Sequence, residues 1–167
     1  MPSNDLDQSP SPGVVADLVA ALRVGDHPRL LARMASGWAV LNERQPSPLR
    51  VCAMLVPDPV GAPINSINSI NDLDEVRRLA FMSDLLRLGD ALLAATGAER
   101  INYLVLCNQA PELHGHAIPR FAHEDPDRRR LGPFEAYDFA AAPLGDVHTL
   151  PRDLVLAVRR SLGATIA

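Results

Sequence analysis

The stretch PELHGHAIPRF, residues 111–121, carries the pattern from which the fold is predicted. Side chains of a β-strand alternate between its two faces, so Glu112, His114 and His116 share one face and the small apolar residues between them face the other way. A row of three polar or ionisable groups is costly to bury without partners. We therefore predict that this face lines a cleft and that the small apolar face packs against a helix.

Apolar runs upstream of this strand predict a helix and a strand pair. VVADLVAALR (14–23) has apolar residues at helical spacing, and HPRLLARMAS (27–36) favours a further short helix. WAVL (38–41) and LRVCAMLV (49–56) are apolar runs separated by the chain break QPSP. We therefore predict that these two runs form an antiparallel pair of strands.

A long amphipathic helix follows the strand pair. Asp72 and Glu75 have the spacing of a capping box, and the helix is expected to end at Gly97. Its predicted apolar stripe comprises Leu73, Val76, Leu79, Ala80, Leu86 and Leu93. RINYLVLCN (100–108) predicts another strand, and LPRDLVLAVRRSLGA (150–164) predicts a closing helix. Strands grouped around one helix without βαβ alternation indicate an α+β fold with a mainly antiparallel sheet.

The length and composition suit one globular domain with attached arms. The chain has 167 residues, of which 47% are hydrophobic. Residues 1–12 are rich in Ser, Pro and Asp and are expected to be disordered. We predict an N-terminal helical arm at 13–36, the core at 37–121, and a C-terminal arm and helix at 122–167.

The charge pattern excludes several classes of function. The net charge is -4, and no dense basic stripe occurs apart from Arg128, Arg129 and Arg130, so we expect no nucleic-acid partner. All sixteen basic residues are arginines, which excludes Schiff-base chemistry and a P-loop lysine. Small anionic ligands remain compatible with this composition.

Cysteine usage and hydropathy predict a soluble, cytoplasmic protein. Cys52 and Cys107 lie in apolar runs, where they are expected to be small core residues in a reducing compartment. The first residues are polar, and no run approaches the roughly 18 apolar residues that a membrane span needs. We therefore expect no membrane partner.

The two histidines leave three kinds of function open. Adjacent imidazoles can share an anionic ligand, with one attacking phosphorus and the other donating a hydrogen bond. Glu112, His114 and His116 on one strand face can also form a facial metal site. The pair can instead be structural, since HxH alone occurs in many strands.

NQAPELHGHAIPR (108–120) resembles the signature of the histidine triad (HIT) superfamily. That signature is HxHxHxx with apolar residues at x, often followed by Pro-Arg, and in one version an Asn and then a Pro precede it. WAVLNERQPSPLRVCAMLVPDPV (38–60) resembles the first strand pair of the family, and the long helix lies where the family has its helix. The resemblance runs from Gly37 to Phe121 and implies a HIT-like fold without a metal site.

The resemblance also implies roles for individual residues. His114 matches the central histidine, which attacks the α-phosphorus of a nucleotide and forms a nucleotidyl-imidazole intermediate. His116 matches the third histidine, which hydrogen-bonds phosphate oxygens. Asn42 falls where the family places an Asn or Asp against the ribose hydroxyls, and Asn108 resembles the asparagine that helps to hold the phosphate. Gln109 partly replaces a missing Gly-Gln-Ser/Thr loop.

Glu112 occupies the first triad position, where the family has a histidine. As a nucleotide-binding residue it would repel a phosphate if ionised, yet it can also orient or charge His114. The resemblance implies a homodimeric nucleotide hydrolase or transferase acting on dinucleoside polyphosphates or nucleoside phosphoramidates. No cofactor is required, although magnesium can arrive with a polyphosphate substrate. The alternative is an inactive nucleotide-binding module that Glu112 has disabled.

Overall fold

The computed structural model describes residues 14–59 and 66–164, which form helices around one sheet. The elements are α1 (Val14–Val24), β1 (Leu30–Arg33), β2 (Gly37–Leu41), β3 (Ala53–Pro57), α2 (Glu75–Thr96), β4 (Arg100–Leu104), β5 (Gly115–Arg120), α3 (Pro126–Arg129), α4 (Pro133–Ala136) and α5 (Arg152–Ser161), with 3₁₀ helices at Ser47–Leu49 and Ile70–Asp72. The predicted tail at 1–12 lies outside the described residues, and the division into arms and core stays a prediction.

The five strands form one antiparallel sheet in the order β1-β2-β3-β5-β4. The predicted pair is present, with Trp38 of β2 opposite Val56 of β3. The long helix α2 connects β3 to β4 and packs against the sheet. The predicted α+β fold with a mainly antiparallel sheet and one long helix is therefore confirmed.

The prediction of a second helix over 27–36 is wrong, because this segment contains strand β1. Leu31 and Ala32 are adjacent in sequence and are both buried, at 2% and 3% exposure. The pairing with β2 shifts register between Leu30 and Ala32, which marks an irregularity in the strand. This shift breaks the alternation of a regular strand, so that the apolar spacing resembles that of a helix.

The predicted capping box of α2 is also wrong. The helix begins two residues later, where the Asp74 carboxylate accepts a hydrogen bond from the backbone N–H of Arg77 at 2.9 Å. Asp72 instead closes the preceding 3₁₀ helix, in a capping box with Ser69. The C-terminus is as predicted, since Gly97 adopts the left-handed conformation with φ of 70°.

Helix α2 buries a different face from the predicted one. Val76 and Leu79 are 78% and 63% exposed, whereas the fully buried large residues are Phe81, Leu85, Leu88 and Leu92. The helix carries apolar residues on two faces, and only the approach of the sheet determines which one is covered. The second apolar face stays exposed in the described chain.

Helix α1 and the C-terminal arm pack on the opposite face of the sheet from α2 and α5. Helix α1 forms a core with the sheet, which comprises Val15, Leu18, Val19 and Leu22 of the helix and Trp38, Val40, Met54 and Val56 of the strands.

The predicted closing helix is present as α5, in which Leu154, Val155 and Val158 are buried. No helix in the described ranges is long and apolar enough to cross a membrane.

The segment after β5 is fixed to the sheet by a buried ion pair. Arg120 at the end of β5 pairs with Glu124 at 3.0 Å, and their side chains are 4% and 1% exposed. The Tyr137 hydroxyl donates to the same Glu124 carboxylate at 2.7 Å. This network holds α4 next to the strand that carries the histidines.

Candidate functional site

The small residues of the histidine strand pack against α2 as predicted. Leu113 and Ala117 are fully buried in the same core as Leu85 of α2. A Cβ atom added to Gly115 would lie 2.9 Å from Leu85 Cδ2, so glycine permits the close approach of the helix. The alternation of β5 therefore directs the histidines to the other face.

A cavity of about 760 Å³ opens on that face between α1 and the C-terminal arm. Five of the six predicted site residues line it: Asn42, Asn108, Gln109, His114 and His116. They come from the end of β2, the loop after β4, and β5 with the residue before it. Its volume lies within the range of small-molecule sites.

His114 is held with one ring nitrogen committed to the backbone. Its Nδ1 lies 2.8 Å from the carbonyl oxygen of Glu112, which can only accept, so Nδ1 carries the proton. The second nitrogen, Nε2, is then the one with the free lone pair. Burial lowers the pKa of His114, but hydrogen bonds with Cys107 and with the Glu112 backbone outweigh burial and raise the pKa above its ordinary value.

His116 is held by a side chain rather than by the backbone. Its Nδ1 lies 3.2 Å from Oδ1 of Asn42, and its ring meets that of His114 edge to face at a centroid distance of 5.0 Å. Burial, and then the charges of His114 and Arg29, lower the pKa of His116 to about 3. His116 is therefore neutral at pH 7.

Asn42 is itself fixed by the loop that follows β2. Its backbone N–H donates to Cys52 at 2.9 Å, and its carbonyl accepts from the Gln45 side chain at 2.9 Å. A Cβ atom on Gly145 would lie 2.3 Å from that carbonyl, so the C-terminal segment passes closely over it. Asn42 thus positions His116, and its contact with a ribose stays a prediction.

Glu112 does not join the histidines on the cavity wall. The residue is 2% exposed, and the described lining of the cavity does not include it. Strand β5 begins at Gly115, and the alternation of faces continues back to His114 and Leu113 but not to residue 112. A direct contact between Glu112 and a nucleotide stays a prediction, and the contact that the structure shows is between the Glu112 carbonyl and the His114 ring.

Two further residues of the cavity wall were missed in the sequence. Arg29 precedes β1, in the segment interpreted as a helix, and its Nε donates to the Leu41 carbonyl at 2.8 Å.

Cys107, the other residue, follows β4 with φ of 53°, in the left-handed region that non-glycine residues seldom adopt. Its Sγ lies 3.8 Å from the His114 carbonyl oxygen. Cys107 was interpreted as a core residue because the run around it is apolar, whereas Cys52 is buried as predicted.

Aromatic residues of the C-terminal arm complete the wall beside His116. The Phe134 ring meets the His116 ring at a centroid distance of 5.2 Å and an interplanar angle of 77°. Phe139 contacts Phe134 at 4.7 Å, and both line the cavity with Tyr137. The arm therefore covers one side of His116 with apolar surface.

A facial metal site is the second of the three possibilities that the histidine pair leaves open. Across residues 14–59 and 66–164, no three His, Cys, Asp or Glu side chains come together as a ligand set. The histidine pair stands instead in a cavity that also contains amide, guanidinium and aromatic groups.

Comparisons with known proteins place this fold. No family model and no curated protein sequence matches the chain. A histidine triad protein of Bradyrhizobium japonicum matches with a TM-score of 0.64 at 20% identity, over 84% of this chain and 94% of that one. A histidine triad protein of Sinorhizobium meliloti 1021 matches with a TM-score of 0.59 at 21% identity, over 81% and 87%.

A third match is to a hypothetical histidine triad nucleotide-binding protein of Sulfolobus tokodaii, with a TM-score of 0.59 at 15% identity, over 88% of this chain and 91% of that one. Likeness at such identities establishes architecture rather than activity. The chain has the fold of the histidine triad proteins.

Proposed function

We propose that this protein is a nucleotide hydrolase or nucleotidyltransferase that acts at an α-phosphate with His114 as the nucleophile. The observation that carries the proposal is the 2.8 Å contact between His114 Nδ1 and the Glu112 carbonyl. It fixes the tautomer in which Nε2 has a free lone pair, in a cavity shared with a second imidazole. The fold shared with a structure described as a nucleotide-binding protein adds support.

The reaction proceeds in two displacements. His114 Nε2 attacks the α-phosphorus, a P–N bond forms, and the bond from phosphorus to the leaving group breaks with its electron pair. Water then attacks the phosphorus and loses a proton to the solvent while the P–N bond breaks, which returns the electron pair to His114 Nε2 and releases a nucleoside monophosphate. In the transferase reaction, another nucleophile takes the place of water and receives the nucleotidyl group.

The substrates proposed are dinucleoside polyphosphates and nucleoside phosphoramidates. Side chains of Asn108 and Gln109 line the same cavity and provide amide donors for phosphate oxygens. The protein needs no bound cofactor in this mechanism, and magnesium would enter with a polyphosphate chain.

A second function, nucleotide binding without turnover, is favoured by one observation. The pKa of His114 is raised, because its contacts with Cys107 and Glu112 outweigh the effect of burial. A raised pKa increases the fraction of His114 that is protonated at a given pH, and only the neutral fraction has a lone pair with which to attack phosphorus. Calorimetry that shows mononucleotide binding, together with no product from any of the proposed substrates, would establish this alternative.

Turnover of diadenosine tetraphosphate and of adenosine 5′-phosphoramidate tests the primary proposal. The His114→Ala variant is expected to lose about 10³-fold or more in kcat/KM, since the covalent route is removed. Arg160→Gln, at an exposed position on α5, serves as the matched control and should keep wild-type turnover. Equal turnover in wild type and His114→Ala would remove the proposal.

We also propose that the protein forms a homodimer through α2 and β4. The exposed face of α2 carries Val76, Leu79, Met82 and Leu86, between 36% and 78% exposed. Strand β4 is an edge of the sheet, and its Tyr103 is 39% exposed beside that helix. An apolar helix face next to a free strand edge suits a twofold contact with a second copy.

Sedimentation of wild type and Leu79→Glu measures this association. Wild type is expected to sediment as a dimer and Leu79→Glu as a monomer, because a charge at the centre of the apolar face opposes burial. Replacement of exposed Arg160 by Gln leaves that face unchanged and should not alter the mass. A monomeric wild type at micromolar concentration would contradict the dimer.

A further inference from the structure

Arg29 brings a positive charge into the cavity next to His116. Its Nε donates to the Leu41 carbonyl at 2.8 Å, and one terminal nitrogen lies 3.9 Å from Sδ of Met54. Met54 of β3 is directly opposite His116 of β5 in the sheet. The guanidinium therefore lies on the same wall as the imidazole, one strand away.

No carboxylate of the described chain lies within ion-pair distance of Arg29. The guanidinium donates to a carbonyl oxygen and to a thioether sulfur, neither of which carries a charge. Glu43 lines the same cavity, but it is exposed and acts on Arg29 only through a longer-range field. A half-buried guanidinium with donors left over is a natural partner for an anion, which it can bind through two parallel hydrogen bonds.

The hydrogen bonds of the Arg29 side chain go to Leu41 and Met54 and to neither histidine. The phosphate under attack must lie against Nε2 of His114, so Arg29 keeps its remaining donors for another anionic group of the same ligand. The cavity of about 760 Å³ has room for a ligand that extends past both histidines. Two anionic groups of one ligand can thus occupy the two positions together.

We propose that Arg29 forms a second anion subsite in the cavity, which binds a second phosphate group of the substrate. The proposal rests on the proposed function and deepens it, since it favours substrates with at least two phosphates over singly charged phosphoramidates. The second phosphate can belong to the polyphosphate chain or be attached to the ribose. Both offer the same chemistry to a guanidinium, and the experiment separates them.

Isothermal titration calorimetry at constant ionic strength, with three probes, tests the subsite. The probes are AMP, adenosine 5′-(α,β-methylene)diphosphate, which resists cleavage between its phosphates, and adenosine 3′,5′-bisphosphate. Wild type is expected to bind one of the two doubly phosphorylated probes about 10- to 100-fold more tightly than AMP. The probe that gains affinity identifies where the second phosphate lies.

Arg29→Gln is expected to abolish that gain and to change the affinity for AMP less than threefold. Arg29→Lys keeps the charge and should retain part of the gain, which separates loss of charge from loss of the Leu41 contact. Arg33→Gln is the matched control on the adjoining strand, because Arg33 pairs with Asp58 and stacks on Trp38 outside the cavity lining. It should keep the full gain.

The outcomes distinguish this inference from the proposed function. Tight binding of AMP with no gain from either second phosphate would overturn the subsite and leave the proposed function standing. An equal loss of affinity for all three probes in Arg29→Gln would also overturn it. Failure of wild type to bind any probe would overturn both.

Discussion

Replacement of His116 by asparagine should change how the stability of the protein depends on pH. The pKa of His116 is lowered from its ordinary 6.5 to about 3 by burial and by the charges of His114 and Arg29. Between those two pH values the unfolded chain binds a proton at this residue and the folded chain does not. The folded state therefore loses stability as the pH falls below 6.5 towards 3.

The size of the effect follows from the shift. At pH 5, which is 1.5 units below the ordinary pKa of 6.5, the unfolded side chain is mostly protonated and the folded one is not. Each pH unit in this interval lowers the free energy of unfolding by about 1.4 kcal/mol, so the total loss is about 2 kcal/mol. At pH 8 the same contribution is close to zero. His114 acts in the opposite sense, because its raised pKa adds stability at low pH that is lost as the pH rises, but it is present in both proteins.

Urea unfolding of wild type and His116→Asn at pH 8 and pH 5 measures the difference. Wild type should lose about 2 kcal/mol more than the variant between the two pH values, whatever stability the substitution costs at pH 8. His148→Asn, which replaces an exposed histidine outside the cavity lining, serves as the matched control. Parallel pH profiles for wild type and His116→Asn would refute the buried, neutral state of His116.

The remaining predictions concern the proton, the thiol and the arm. Because His116 donates Nδ1–H to an amide oxygen, a hydrogen bond from Nε2 to phosphate requires a second ring proton, so AMP binding should raise the pKa of His116 from about 3. Calorimetry at pH 5 in buffers of different ionisation enthalpy should show more proton uptake by wild type than by His116→Asn, and equal uptake would contradict this geometry. Iodoacetamide should alkylate Cys107, which lines the cavity, and should not alkylate Cys52, which is buried. A mass-spectrometric time course should show that AMP protects the Cys107 thiol, and equal labelling of both cysteines would be inconsistent with the site. Glu124→Gln leaves the charge of Arg120 buried without its carboxylate and should lower the free energy of unfolding in urea by about 3–5 kcal/mol. A decrease below about 1 kcal/mol would show that the ion pair does not anchor the C-terminal arm.

The histidine strand was predictable because its side chains alternate regularly between the two faces from Leu113 to Ala117. Leu113 and Ala117 lie in the core against α2, and His114 and His116 line the cavity, as a two-residue period requires. Glu112 could not be placed in the same way, because the alternation ends at Leu113, two residues before the strand itself begins. The sequence does not show where such an alternation ends.

The errors elsewhere arise from tertiary contacts that local patterns do not contain. Because the register shifts between Leu30 and Ala32, the apolar spacing of β1 matches that of a helix. The sequence therefore offers no reason to place Arg29, which precedes β1, in the cavity. Helix α2 has two apolar faces, and its exposed face, with Val76 and Leu79, was the one predicted to be buried. The sheet, which forms from distant segments, decides both outcomes.

The central claim, that His114 forms a bond to phosphorus, is tested most directly by trapping the intermediate. Wild type and His114→Asn are mixed with diadenosine tetraphosphate, quenched in base to preserve a phosphoramidate, and mapped by peptide mass spectrometry. Wild type should carry an adenylyl group on the peptide that contains His114, and the variant should carry none. Steady turnover by wild type without any such adduct at short quench times, or an equal adduct in His114→Asn, would contradict it.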